Sequence, residues 1–257
     1  MSNVKGSWKV PSLSCSKSTS YAAFWDGIDR LSDGTVEQTG VLAECYQGKV
    51  YYYTWYEFYP SLPVYDTGQV PEKAGDVVYA EVSYASGTFI ATITDQTTAA
   101  TFTTSQTDSN AQRSSAEWIT EAPSSGEVLP LAYFGTGYFG SDYTNIASTS
   151  YATVNGVTSA LGSFGSSVYE LVMVTMNLTV KAQPSVLTRD GSSFSVTWKH
   201  SNVRRSFRLS FRTTTLHSVA NNVPYERYRA TRKVEPLKQR FFRRMPLTNV
   251  SKTGREL

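Results

Sequence analysis

The sequence predicts an all-β protein: an antiparallel β-sandwich of ten or more strands with a groove on one outer face. Three observations predict it. The 257 residues are rich in Tyr, Thr, Ser, Val and Gly, the residues of strands and turns. Apolar residues come in short runs broken at Gly, Asn or Pro, and the runs alternate with period two. No regular alternation of strands with helices accompanies them, which argues against a doubly wound fold.

Alternation is cleanest early in the chain. In "YAAFWDGID", Tyr21, Ala23, Trp25, Gly27 and Asp29 share one face, and Ala22, Phe24, Asp26 and Ile28 the other. "TVEQTGVLAE" reads as the next strand. In "KVYYYTWYEFYP", Tyr51, Tyr53, Trp55, Glu57 and Tyr59 fall together, opposite Val50, Tyr52, Thr54, Tyr56 and Phe58. An apolar face backed by an aromatic and acidic one describes a sandwich sheet whose outer side forms a groove. Further strands are expected at "DVVYAEVSYA", "TFIATITDQ", "TTAATFTTSQ", "LPLAYFGTGYF", "YTNIASTSYATV", "SVYELVMVTM" and "SFSVTWK", making ten or more in all. "SSAEWITE" is another, and it raises a question: Glu117 stands beside Trp118 in its middle, where a carboxylate near buried surface is costly unless something holds it.

The net charge of +3 conceals two regions. Residues 1–200 carry 10 Lys and Arg against 18 Asp and Glu, a net of −8, whereas residues 201–257 carry 14 against 3, a net of +11. An acidic β domain is thus expected over 1–200 and a basic, disordered extension over 201–257. The extension has the charge of a nucleic-acid arm but no binding fold around it, so nucleic acid is not the expected partner. No apolar run is long enough to span a bilayer, and "MSNVKGSWKVPSL" has no apolar signal-peptide segment. Cys15 and Cys45 read as one disulfide, with two buried thiols as the alternative.

The chemistry narrows by elimination. The only histidines are His200 and His217, so residues 1–199 contain no imidazole for a Ser-His-Asp or Cys-His arrangement or for a His-based zinc site. "GTGYFG" at 135–140 matches a dinucleotide fingerprint but lacks the following helix, and its glycines fit a turn or bulge better. "NLT" at 177–179 and "NVS" at 249–251 fit a glycosylation pattern short enough to recur by chance. Asp26, Asp29 and Asp33 lack the spacing of a calcium loop, and no metal or cofactor is expected. What remains is Asp29, Gln38, Glu57 and Glu117, which strand alternation alone would read as surface side chains.

Ordered blocks of the sequence resemble the glutamic peptidases, or eqolisins, a family of secreted acid proteases. They are "GSWKVPS", "FWDGID", "VEQTG", "YYTWYEFYP", "SSAEWITEAPSSG", "LPLAYFGT", "KAQPSVL" and "GSSFSVTW", running from Gly6 to Trp198. The resemblance implies a catalytic pair at Gln38 and Glu117, a supporting network from Asp29 and Glu57, and Trp25 lining the same site. It also implies a sandwich of two bent sheets, concanavalin-like in outline, and a secreted, pepstatin-insensitive endopeptidase acting on polypeptides. Trp55, Tyr59 and Trp118 are expected to help line the peptide groove, and the protein is expected to be a monomer. In this chemistry Glu117 acts as general base on a water and Gln38 donates to the oxyanion.

Three departures accompany the resemblance. The chain begins after the family's usual first strand, whose loss is expected to expose a sheet edge. "FWDGIDR" carries Asp26 and Arg30 where an apolar residue and a glycine are expected, and the basic extension has no counterpart. The alternative reading is a non-catalytic β-sandwich whose groove holds peptide or glycan without cleaving it, or an inactive truncated homologue.

Overall fold

A computed structural model describes residues 1–29, 34–65, 68–70, 72–125, 127–175 and 177–200. Two antiparallel sheets pack face to face, as expected. The smaller has five strands in the order β5 (Val64–Tyr65), β4 (Lys49–Tyr59), β3 (Val36–Tyr46), β2 (Ser20–Asp29) and β9 (Ala116–Glu121). The larger has ten. Its main path runs β13 (Met173–Val174), β14 (Val180–Pro184), β15 (Phe194–Trp198), β10 (Thr136–Phe139), β1 (Asn3–Lys9), β6 (Val77–Ala85), β7 (Thr88–Asp95) and β8 (Ala100–Thr107). Off this path β1 also pairs with β11 (Tyr151–Val154), which pairs with β12 (Val157–Ala160).

Three hairpins turn on two residues with positive φ: Gln47–Gly48, Ser86–Gly87 and Asn155–Gly156. Positive φ at both positions matches the right-handed strand twist, and the glycine supplies it without a Cβ penalty. The expected strands from Leu129 to Met176 prove shorter. Positive φ at Gly135, Asn145, Ser148 and Ser150 breaks the alternation, a short helix forms at Ser141–Thr144, and a 3₁₀ segment follows at Leu161–Ser167. "GTGYFG" does contain a strand, β10, and Gly137 is a packing position: a Cβ there would meet the Phe24 ring at 2.8 Å.

The core lies between the sheets. Phe24 and Ile28 of β2, Val41 of β3 and Phe58 of β4 meet Val4 and Trp8 of β1, Val78, Ala80 and Val82 of β6, and Phe89, Ala91 and Ile93 of β7. Cys15 and Cys45 form the disulfide, tying the segment before β2 to the end of β3 across 30 residues. On the chain-entropy account a loop of that length stabilises the fold by roughly 3–4 kcal/mol. Strand β1 is interior to its sheet, between β10 and β6, while β9 forms an edge of the five-stranded sheet. Among the described residues no helix is long and apolar enough to cross a membrane. The basic extension lies outside the described residues, as do Arg30 and Asp33.

Candidate active site

The outer face of the five-stranded sheet is built in rows, because antiparallel register puts residues of neighbouring strands side by side. One row runs Glu117 (β9), Gly27 (β2), Gln38 (β3), Glu57 (β4). Glu117 and Gln38 therefore share a face, separated only by a strand that carries no side chain at that point. Two strand spacings put their backbones about 10 Å apart, so a carboxylate and an amide flank an open position over Gly27. A Cβ on Gly27 would lie 3.0 Å from Gln38 Cβ and 3.0 Å from Trp25 Cζ3, which leaves that position to glycine.

The next row on this face is Ile119, Trp25, Gly40, Trp55, Tyr65. Gly40 lets the aromatic wall close in: a Cβ there would come within 2.6 Å of Trp25 Cβ. Trp25, Trp55, Val36 and Leu42 cluster with Tyr53, Tyr59, Tyr65 and Ile119. Trp25 is held over Gly27 from a further row, its Nε1–H donating to Glu121 Oε1 at 3.2 Å. Burial, then the nearby Glu57 carboxylate, raise Tyr65 well above the usual phenol range, so it remains a neutral hydroxyl.

Each polar residue of the main row has a defined neighbour. Gln38 is 4 % exposed, and its Nε2–H donates to Glu57 Oε2 at 2.5 Å. Glu57 Oε2 accepts this bond, so Glu57 fixes which end of the amide is nitrogen. Gln38 Oε1 is buried without a protein hydrogen-bond partner. Glu117, 9 % exposed, accepts from Ser115 Oγ at 3.1 Å. Asp29 acts one row away. Its carboxylate accepts from the backbone N–H of Arg113 at 2.7 Å and of Ser114 at 2.5 Å, fastening the segment that leads into β9.

The structure thus brings Gln38, Glu117, Glu57 and Trp25 together and sets Trp55 and Tyr59 in the same wall, with Asp29 at its end. Trp118 corrects the expectation: it lies on the opposite face of β9, 8 % exposed in the inter-sheet core, with Nε1–H donating to the Lys5 carbonyl. Neighbours along a strand point to opposite faces, so a groove-facing Glu117 requires a core-facing Trp118. Asp26 and Asp29 fall on opposite faces for the same reason, and the two do not converge on a cation. Gly27, Ser115, Tyr65 and Glu121 are site residues not singled out from the sequence; alternation from Glu117 was the available signal for Ser115 and Glu121.

Comparison with known proteins gives a consistent answer. The fold matches aspergilloglutamic peptidase from Aspergillus niger with a TM-score of 0.57 and 28 % identity, over 70 % of this chain and 99 % of that one. It also matches scytalido-glutamic peptidase bound to a peptide-based transition-state analogue, with a TM-score of 0.58 and 22 % identity over 77 % and 92 % of the two chains. SCP-B, an eqolisin solved with the tripeptide Ala-Ile-His, matches with a TM-score of 0.57 at 21 % identity, over the same shares. These last two are likenesses of fold. No curated protein sequence matches the chain. The model of the peptidase A4 family matches residues 1–198, spanning both sheets and every residue of the groove described above. The chain is a member of the peptidase A4 family, the glutamic peptidases.

Proposed function

We propose that the protein is an acid endopeptidase in which Glu117 is the general base and Gln38 the oxyanion donor. The observation that carries this reading is the row itself, a buried carboxylate and a buried amide on one face flanking a glycine. An extended peptide lying across Gly27 presents its scissile carbonyl between them. Glu117 takes a proton from a water as the water oxygen bonds to the carbonyl carbon. The carbonyl oxygen becomes an oxyanion and accepts from the Gln38 amide, whose other N–H is engaged by Glu57. Collapse breaks the C–N bond, and the proton held by Glu117 passes to the leaving amine. A neutral amide keeps its donor at any acidic pH, and its fixed orientation avoids reorganisation during the reaction.

The aromatic wall of Trp25, Trp55, Tyr53, Tyr59 and Tyr65 supports side-chain binding in an extended substrate. The Cys15–Cys45 disulfide supports an oxidising, extracellular destination.

The test is cleavage of denatured protein at pH about 3 to 4 in the presence of pepstatin, with the Glu117→Gln and Gln38→Ala variants alongside. Glu117→Gln is expected to lower kcat by about 10³-fold or more, and Gln38→Ala by about 10²–10³-fold. Folded protein without activity, or a Glu117→Gln variant as active as the parent, would overturn the catalytic reading in favour of a groove that binds without cleaving.

A further inference from the structure

We propose that Ser115 is a positioning residue for Glu117, and that Asp29 holds Ser115 in place through the backbone of residues 113–115. The inference rests on Glu117 being the base and adds how its carboxylate is aimed.

Ser115 precedes Glu117 by two, so both side chains leave the chain on the groove side as it enters β9. Ser115 is 9 % exposed, and its Oγ–H reaches Glu117 Oε1 at 3.1 Å. A hydroxyl donor on one carboxylate oxygen restrains the rotation of the group and so aims the base. It also favours the ionised form, the form a base needs.

The segment carrying Ser115 is tied down from both sides by the end of β2. Asp29 Oδ2 accepts from the Arg113 N–H at 2.7 Å, and Oδ1 accepts from the Ser114 N–H at 2.5 Å and from Ser114 Oγ at 3.2 Å. The Asp29 N–H in turn donates to the Ser115 carbonyl at 3.0 Å. Asp29 itself adopts φ 72°, a left-handed conformation that Asp and Asn tolerate better than most residues. Four atoms of residues 113–115 are thereby referred to one residue of β2, the strand whose Gly27 floors the site. The Asp29 carboxyl matters because its oxygens accept three bonds, two of them from backbone N–H groups of the segment leading into β9. Asp29 does not touch the reacting atoms in this scheme; it acts through Ser115.

The experiment measures kcat, KM and the pH profile for the parent and for Ser115→Ala, Ser115→Thr, Asp29→Asn and the Asp29→Asn/Ser115→Ala double variant, with melting temperatures to verify folding. Ser115→Ala is expected to lower kcat by about 10-fold with KM changed by less than about 2-fold. The acidic limb should move up by about half a pH unit or more, because the carboxylate has lost a donor. Ser115→Thr should restore both. Asp29→Asn keeps the size and the left-handed backbone but loses charge and one acceptor, and should lower kcat in the same way. The double variant should then be little worse than the poorer single one, as expected when two residues act along one route. An unmoved acidic limb in a folded Ser115→Ala protein, or losses that multiply in the double variant, would overturn the inference. A Glu117→Gln protein that stays active would instead sink the catalytic reading, so the two failures are separable.

Discussion

Asp26 and Asp29 stand three residues apart on β2, both shut off from solvent, and their surroundings are opposite. Asp29 faces the groove side and its oxygens accept three hydrogen bonds from residues 113 and 114. Asp26 faces the inter-sheet core beside Trp118 and Thr39, and neither of its oxygens has a hydrogen-bond partner. Gly6 of β1 stands so close that a Cβ on it would lie 2.6 Å from Asp26 Oδ2. Burial therefore pushes Asp26 well above the usual carboxyl range; the Gly6 N–H opposes this without reaching hydrogen-bond geometry, and the charge of Glu81 on β6 adds to it. The difference teaches that depth does not decide the state of a carboxyl. Donors do: where they converge a charge can be buried and used, and where none converge the group keeps its proton.

The largest effect that sharpens this contrast between the two faces belongs to Phe24, two residues before Asp26 on the core side of β2. It is fully buried, edge-on to Phe134 at 5.5 Å and lodged over Gly137. Phe24→Ala is expected to cost about 3–5 kcal/mol, read from urea unfolding at pH about 4. Its neighbour Trp25 faces the groove, so Trp25→Phe should cost far less stability while weakening peptide hydrolysis through the lost bond to Glu121. Equal losses of stability in the two variants would show that the faces are not as distinct as their packing.

The next effect comes from Asp26. Its folded pKa lies above the unfolded value of about 3.9, so the folded state holds a proton that the unfolded chain releases. The contribution is intact below about pH 4, declines as pH rises toward the folded pKa, and levels off above it. Asp26→Asn should match the parent near pH 3 and unfold at progressively higher urea than the parent toward pH 7. Asp26→Val, which removes the buried polar atoms, should stabilise at both pH values by about 1–3 kcal/mol. Parallel stability curves for parent and Asp26→Asn across that range would assign the pH response to other groups.

The two faces of β2 and β4 were legible in the sequence because period-two alternation is a local property, set by the pleat. So were the fold class and the Cys15–Cys45 pairing. The rows were not. That Glu117 and Gln38 flank the same glycine depends on the register of β9 and β3 against β2, and although β3 follows β2 directly in sequence, β9 comes only after β6, β7 and β8 of the other sheet. Trp118 shows the converse failure, since alternation already placed it away from Glu117 and only its neighbourhood in sequence linked it to the groove. The strand expected over 143–154 was overestimated because left-handed residues such as Ser148 and Ser150 have no reliable signature in side-chain chemistry.

The smallest effect extends the comparison to a third carboxyl. Glu72, Asp76 and Asp95 each bring an oxygen within 4.8 Å of the others, and they differ in the way Asp26 and Asp29 do. Asp95 accepts from the Thr97 N–H at 2.7 Å and from Thr98 Oγ1 at 2.5 Å, and Asp76 accepts from the Lys73 N–H at 2.9 Å. Both oxygens of Glu72 are buried with no donor. Burial, then Asp95 and Asp76, push Glu72 up to about 8, so the cluster's proton resides there. The sign is that of Asp26: stability from Glu72 is full below about pH 4.5, falls as pH rises through its folded value near 8, and is constant beyond. Glu72→Gln should leave unfolding at pH 4 unchanged and raise the urea midpoint at pH 8. The gain should be smaller than that of Asp26→Asn, because the Glu72 side chain is only partly buried and Lys73 lies 3.7 Å from Asp76 to offset the cluster's charge. Combining Asp26→Asn with Glu72→Gln tests whether two donorless carboxyls account for the alkaline loss of stability. Asp26 is on β2 and Glu72 in the segment before β6, without a shared partner among the groups that shift them, so their gains should add, and a double variant no better than Asp26→Asn alone would leave Glu72 without a part in it.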